Sequence, residues 1–176
     1  ILEKFNFKGF QLKENEAVKG TYLITRDDGT DAKDTLSEGE YNFITFLYFY
    51  YLVYGSQEKT GITSNKIIVI DDPISSLDSN VLFIVSTLTK NLIKDCRENK
   101  DGISQIFVLT HNIYFYKEIT FLGSRQTFKQ EEAYFGIVRK DENITSIKKN
   151  KKNPIQTTYQ LLWKEIQSDS VSAITE

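Results

Sequence analysis

The sequence predicts an α/β fold with a largely parallel sheet, flanking helices and small additional β elements. Two short apolar runs, residues 66–70 and 105–109, are typical of strands buried on both faces of a sheet. Segments of helix length precede, separate and follow these runs, and strands that alternate with helices indicate a parallel sheet. Because no linker, repeat or low-complexity segment divides the chain, we expect one domain.

Composition and charge exclude several classes of protein. The 176 residues are 40% hydrophobic and 26% charged, which excludes a disordered tail or a fibrous repeat. A net charge of −2 gives no overall basic field for nucleic acid or an anionic membrane. The most apolar stretch, residues 43–54, is shorter than the roughly 20 residues of a membrane span. We therefore expect a cytoplasmic protein without membrane contact, in which the single Cys96 is a packing residue.

The first third of the chain predicts small strands and then a helix. Alternating apolar side chains in residues 5–10 and the run 21–25 predict one or two strands within a β-rich segment, residues 1–35. Ser37 followed three positions later by Glu40 is a capping-box pattern, so a helix should begin there. The helix is apolar nearly all round, which predicts burial on most of its faces.

The remaining elements follow in chain order. We expect a helix over about residues 80–99, a short helix that ends near residue 121, a hairpin of residues 133–139 and 143–148, a basic loop over residues 148–153 and an amphipathic helix from Pro154. The chain then reads as the β-rich segment 1–35, a motif-bearing core 36–125, and late strands with a C-terminal helix 126–176.

The first predicted strand ends in two acids, Asp71 and Asp72, at the carboxyl edge of the sheet. Open α/β sheets bind ligands at this edge. Two adjacent carboxylates are costly there unless a cation or a catalytic role compensates. In one interpretation Asp71 holds a hydrated Mg²⁺ and Asp72 positions an attacking water. In the other interpretation the acids simply end the strand and cap the next turn.

Two further residues are expected near this edge. Asp78 ends a rigid turn after Pro73 at the start of a helix, where it could also be a helix cap. His111, the only histidine, ends the second predicted strand at the same edge. A neutral imidazole there could form a hydrogen bond with a terminal phosphate oxygen, whereas a lone histidine can also be a packing or surface residue.

The start of the first helix is a candidate anion site. Free backbone N–H groups and the helix dipole favour a phosphate at such a terminus. Ser37 adds a hydroxyl, and Gly39 allows close approach to the backbone. Taken by itself, the same short pattern is more often that of a plain helix cap.

The order of these motifs resembles the C-terminal half of an ABC-type ATPase head, a P-loop NTPase fold. Residues 36–40 resemble its signature motif, residues 67–72 its Walker B strand, residues 76–78 its D-loop, and His111 its switch histidine. The signature ends in Glu40, as in SMC and RecF heads. The amino-acid sequence of residues 71–78 most resembles that of the AAA ATPase domains of bacterial anticodon-nuclease and other defence proteins.

This resemblance implies that ATP and Mg²⁺ lie between two heads of a dimer, most simply a homodimer. Asp71 would then bind the metal, Asp72 and His111 would be catalytic, and Asp78 would cross the interface. Ser37, Gly39 and Glu40 would contact the nucleotide of the partner head. The sequence contains no Walker A pattern, G-x-x-x-x-G-K-[ST], and begins without Met. We therefore expect an excised piece of a longer ATPase, inactive by itself, whose Walker A lies in a separate N-terminal lobe.

The resemblance leaves three functions open. The first is an ATP-driven switch for a defence effector, such as an anticodon nuclease, or for a DNA-linked function. The second is a non-catalytic ABC-like module that binds a partner or nucleic acid, for which residues 148–152 are the basic cluster. The third is a SMC/RecF-like DNA-repair ATPase. Two departures bear on activity: Glu38 stands where many heads have Gly, and Asp72, one methylene shorter than the usual Glu, predicts slow turnover.

Overall fold

The computed structural model describes residues 9–55, 65–74, 79–121, 128, 132–142 and 144–155. The chain divides into two compact units, Ile1–Leu122 and Gly123–Glu176. The division falls close to the border expected between the motif-bearing core and the late strands. The count of a single ATPase lobe stays a prediction.

Helices and strands form the described part of the first unit, and a pair of strands forms that of the second. In the first unit these are β1 (Gln11–Glu14), β2 (Tyr22–Thr25), α1 (Glu38–Gly55), β3 (Lys66–Asp71), α2 (Ser79–Arg97), β4 (Ile103–Leu109) and α3 (Ile113–Thr120), and in the second they are β5 (Phe135–Asp141) and β6 (Ile144–Asn150). A 3₁₀ turn, Lys33–Thr35, precedes α1.

Helix α1 begins where the capping box predicts. The Ser37 N–H donates to Glu40 Oε2 at 2.8 Å, and the Glu40 N–H donates to Ser37 Oγ at 3.2 Å. The prediction that the helix is buried on most faces is wrong. One side packs into the core through residues such as Phe43, whereas Tyr41 and Tyr48 on the other side are exposed. Tyrosine can lie on either side because its ring is apolar and its hydroxyl is hydrated.

Strands β3 and β4 pair in parallel and are connected by helix α2, as predicted. Ile68 and Ile70 point into a core that includes the buried side of α2. The prediction of burial on both faces is wrong, because Ile67 and Val69 remain 63% and 55% exposed. Adjacent side chains of a strand point to opposite faces, and among the described residues α2 covers only one face.

The fold class is therefore α/β, with a smaller sheet than expected. The described strands form three two-stranded sheets: β1–β2 and β5–β6 are antiparallel, and β3–β4 is parallel. The parallel sheet of the prediction is confirmed only as the β3–β4 pair. This pair and its connecting helix are the part of the fold that positions the acidic edge.

In the second unit, β5 and β6 form the predicted hairpin, which turns at Glu142. The predicted basic loop is wrong in its first half, because Lys148 and Lys149 lie in β6 and pair with Ile137 and Gly136. The cross-strand ladder extends the hairpin through these lysines despite their low strand propensity. The helix predicted from Pro154 and most of the predicted strand in residues 5–10 lie outside the described residues.

Two smaller expectations concern Cys96 and the membrane. Cys96 is half-buried in α2, and burial raises the pKa of its thiol, so the thiolate is disfavoured. This agrees with a packing role. Among the described helices, none combines the length and the apolar character that crossing a bilayer requires.

The one-sided sheet predicts opposite outcomes for two neighbouring isoleucines. Ile68→Ala should lower the free energy of unfolding by about 2–5 kcal/mol, because it leaves a cavity in the core. Ile67→Ala, the matched control on the exposed face, should cost less than about 1 kcal/mol. Urea denaturation of the chain measures both changes. Equal costs would mean that the Ile67 face is covered.

Candidate active site

Asp72 and His111 meet at the carboxyl ends of β3 and β4. The Asp72 N–H donates to the Leu109 carbonyl at 2.8 Å, which extends the parallel pairing by one residue. His111 Nδ1 lies 2.6 Å from Asp72 Oδ2. The Thr110 hydroxyl donates to the other carboxylate oxygen, Asp72 Oδ1, at 3.3 Å. The structure thus brings the two predicted catalytic residues into direct contact.

The local backbone explains why this contact forms. Asp72 has φ of +43°, a left-handed conformation that Asp tolerates better than most side chains. On the facing strand, the Asn112 N–H donates to Thr110 Oγ1 at 3.0 Å. The Asn112 side chain caps α3 by accepting from the N–H groups of Tyr114 and Phe115 at 3.0 and 3.1 Å. Residues 110–112 are therefore held by hydrogen bonds on both sides of His111.

The contact determines which nitrogen of His111 carries a proton. Ionised Asp72 can only accept, so Nδ1 must donate. In the neutral ring Nε2 is then an acceptor, and it donates to a phosphate oxygen only after a second proton binds. The expected hydrogen bond between His111 and a phosphate oxygen stays a prediction. His111 is 80% exposed and Asp72 34% exposed, so both are accessible to a ligand.

Asp71 ends β3 beside this pair, with an exposed side chain. Within the described segments, no group of three or more His, Cys, Asp or Glu side chains could enclose a metal ion. Mg²⁺ does not need such a cage, since it commonly binds one or two carboxylates together with phosphate oxygens and water. The hard oxygen donors of Asp71 fit a Mg²⁺ of that kind, which would neutralise phosphate charge when bound.

The start of α1 is organised around an ion pair. The Arg26 guanidinium donates to both carboxylate oxygens of Glu40, at 2.6 and 3.3 Å. Arg26 also donates to the carbonyl oxygens of Gly9 and Thr35. Because the hydrogen bond from Arg26 favours the charged carboxylate, it holds the pKa of Glu40 below its ordinary value. In this structure Glu40 stabilises the helix start and the segment before it.

The other predicted ligand residues lie in two places. Ser37 and Gly39 stand at the start of α1, and no hydrogen bond or ion pair among the described residues joins them to the acidic edge. The Ser37 hydroxyl accepts from Glu40 N–H, which leaves its own proton to donate to an anion. Asp78 lies outside the described residues. The roles of Ser37, Gly39, Glu40 and Asp78 in nucleotide binding stay predictions.

Two contributing residues were missed by sequence reasoning. Arg26 follows β2 without any recognisable motif, and only the fold brings it to Glu40, 14 positions along the chain. Thr110 directly precedes His111 in the sequence, but its hydrogen bond to Asp72 follows from the strand register. A hydroxyl residue at the end of a strand next to an acidic edge is the signal that could have identified Thr110.

The described fold and site define an α/β protein with an acidic edge at the carboxyl ends of two parallel strands. Comparison with known families agrees. A family model described as AAA domain matches residues 1–173, and the chain belongs to this family.

Two curated relatives from Staphylococcus aureus, one of them from strain MRSA252, are each 34% identical over 170 residues. Both are named "Uncharacterized chromosomal cassette SCCmec type IVc protein CR006". Each match covers 94% of this chain and 22% of the relative. The chain thus spans about a fifth of the length of the relatives that it matches.

The single histidine allows a direct test of the Asp72–His111 contact. We expect the neutral imidazole to carry its proton on Nδ1, because Asp72 accepts there. Long-range ¹H–¹⁵N correlation spectra show one histidine and report its tautomer. Asp72→Ala should shift the ring toward Nε2 protonation. An Nε2-protonated ring in the unaltered chain would contradict the contact.

The Arg26–Glu40 pair predicts a pH-dependent stability. Because the pKa of Glu40 is lowered in the folded chain, its ionised form stabilises the fold at pH values above 4.5, the ordinary pKa of glutamate. This contribution is lost as the pH falls through the lowered pKa. Glu40→Gln should therefore be less stable than the unaltered chain at pH 7, and the difference should shrink on acidification. Glutamine can still form a capping box, so the helix start is retained.

Chemical denaturation at pH 7 and near pH 3 measures this difference. Glu38→Gln, at an exposed acid in the same helical turn, is the matched control for removal of one negative charge. If the free energy of unfolding of Glu40→Gln is lower than that of the unaltered chain by the same amount at both pH values, the ion pair does not contribute to stability.

Proposed function

We propose that the chain is the catalytic-edge part of an ABC-type ATPase head, which hydrolyses ATP within a longer protein. The observation that carries the proposal is the 2.6 Å contact between His111 and Asp72, beside Asp71, at the carboxyl ends of two parallel strands. A carboxylate next to a phosphate-directed imidazole is suited to phosphoryl transfer, where positioning and charge stabilisation provide most of the catalysis.

Asp72 would orient the attacking water. Its two oxygens offer about four lone-pair sites, and the bonds to Thr110 and His111 use one site on each oxygen. The remaining sites can accept the protons of a water molecule. The two protein contacts fix the carboxylate in one orientation, which is the requirement for placing water in line with the terminal phosphate.

His111 would bridge this carboxylate and the terminal phosphate. While Nδ1 donates to Asp72, Nε2 is the nitrogen left to face a ligand. A terminal phosphate oxygen facing Nε2 would place the ring between the phosphate and the Asp72 carboxylate. Asp71 would hold the Mg²⁺ that neutralises phosphate charge.

The start of α1 would serve the nucleotide of a second head. Its Ser37 hydroxyl and the amide groups near Gly39 could bind a phosphate, and they make no described bond to the acidic edge. ATP would therefore draw two heads together, with Asp78 near the interface. A P-loop supplied by the rest of the longer protein would hold the other phosphates. The dimer would drive a defence effector, such as an anticodon nuclease, or a DNA-linked function.

The test is Asp72→Asn in the full-length protein. Asparagine also tolerates the left-handed backbone of this position, so the strand end should keep its shape. ATP hydrolysis should fall about 100-fold or more, because the neutral amide cannot take up a proton from water. ATP-bound dimers should accumulate, as seen by size-exclusion chromatography with light scattering.

Asp101→Asn is the matched control. Asp101 also has a left-handed backbone, with φ of +52°, but it precedes β4 and so stands at the other end of the sheet. Hydrolysis by this variant should equal that of the unaltered protein. Normal turnover by Asp72→Asn would remove Asp72 from its role and favour a non-catalytic ABC-like module.

A further inference from the structure

The β5–β6 hairpin presents two different faces. Side chains opposite each other in an antiparallel pair share a face, and successive side chains alternate. The register therefore groups one set of side chains, which we call the lysine face: Val138, Lys140, Thr145, Ile147 and Lys149. Arg139 and Lys148 belong to the opposite face.

The lysine face is open to solvent. Val138 and Ile147 stand opposite each other in the middle of it and are 60% and 71% exposed. Among the described residues, a side-chain atom added at Gly136 would have one neighbour within 4 Å, Ile147 at 3.7 Å. Exposed apolar side chains flanked by charge are typical of a contact surface.

The hairpin concentrates positive charge in a chain that is acidic overall. Residues 133–155 contain six basic and two acidic residues, a net charge of +4, whereas the whole chain has −2. Both acids, Asp141 and Glu142, lie at the turn. None of the six basic residues forms an ion pair with another residue in the described parts of the chain. Their charge is therefore available to a ligand.

An aromatic ring holds one of these cations in place. The Lys149 ammonium lies 3.7 Å from the centroid of the Tyr134 ring. A cation–π contact restricts the flexible lysine side chain without neutralising its charge. Tyr134 itself is 58% exposed, so both groups remain at the surface.

The geometry points to the lysine face as a binding surface for the phosphate backbone of nucleic acid, a property independent of ATP hydrolysis. Lys140 pairs with Thr145, four residues from Lys149, so their backbones are about 13 Å apart along the hairpin. Lys151 and Lys152 follow β6 directly in the sequence and add two further positive charges. Cations in a row on a strand surface match the repeating charges of a phosphate chain, and Val138 and Ile147 between them can contact sugars.

The experiment measures binding of the full chain to fluorescein-labelled 20-nucleotide single-stranded RNA and to a 20-base-pair DNA duplex by anisotropy, over a range of NaCl concentrations. The logarithm of affinity should fall linearly with the logarithm of salt concentration. Lys149→Ala should weaken binding and reduce the slope by roughly 0.7 for the single strand or 0.9 for the duplex. Binding in either arm supports the inference, and the preferred arm identifies the form of nucleic acid.

Lys148→Ala is the matched control, since it removes the same charge from the next position on the opposite face. It should leave the slope nearly unchanged. Tyr134→Leu, which removes the ring under Lys149, should weaken binding, whereas Tyr134→Phe should preserve it. Thermal unfolding of each variant confirms that the hairpin is retained.

Three results would overturn the inference. The first is an equal loss of nucleic-acid affinity for Lys148→Ala and Lys149→Ala. The second is the absence of salt-dependent binding to both the RNA and the DNA. The third is binding only to anionic lipid vesicles or to a poly-glutamate peptide in parallel titrations. The first would show an effect of net charge alone, and the last would assign the surface to another class of partner.

Discussion

The parallel register of β3 and β4 is the constraint on which the fold and the candidate site both depend. It aligns Asp71 with Leu109, so that the next residues of both strands leave the sheet together. The same register directs Ile68 and Ile70 toward α2. A slip of one residue would move one strand by about 3.3 Å and turn its apolar side chains to the other face. Core burial therefore enforces the contact between Asp72 and His111.

Local sequence patterns were sufficient where one interaction within a few residues decides the structure. The capping box at Ser37 and Glu40 places the start of α1, and the hydrogen bonds that it predicts are present. The apolar run that ends in Asp71 places β3 within one residue. The meeting of Asp72 with His111 was also predictable, because parallel strands bring their carboxyl ends to one edge.

The sequence could not predict features that depend on distant parts of the chain. An apolar strand is compatible with burial on one face or on two, and Ile67 and Val69 are exposed because the described α2 covers one face only. Arg26 gains its role from the way β2 returns toward α1. The extension of β6 into the basic residues follows from pairing with β5, which a composition-based loop prediction does not include.

The near-neutral charge of the chain conceals two local imbalances of opposite sign. At the acidic edge Asp71 and Asp72 are adjacent, Asp72 contacts His111, and two neighbouring negative charges are stabilised by an added cation. A hydrated Mg²⁺ with its phosphate ligands supplies such charge in proteins of this class. In the second unit, the lysine face has cations that are not neutralised by described acids, so a polyanion is stabilised there. The chain as a whole has a net charge of −2, so net charge alone would assign neither ligand.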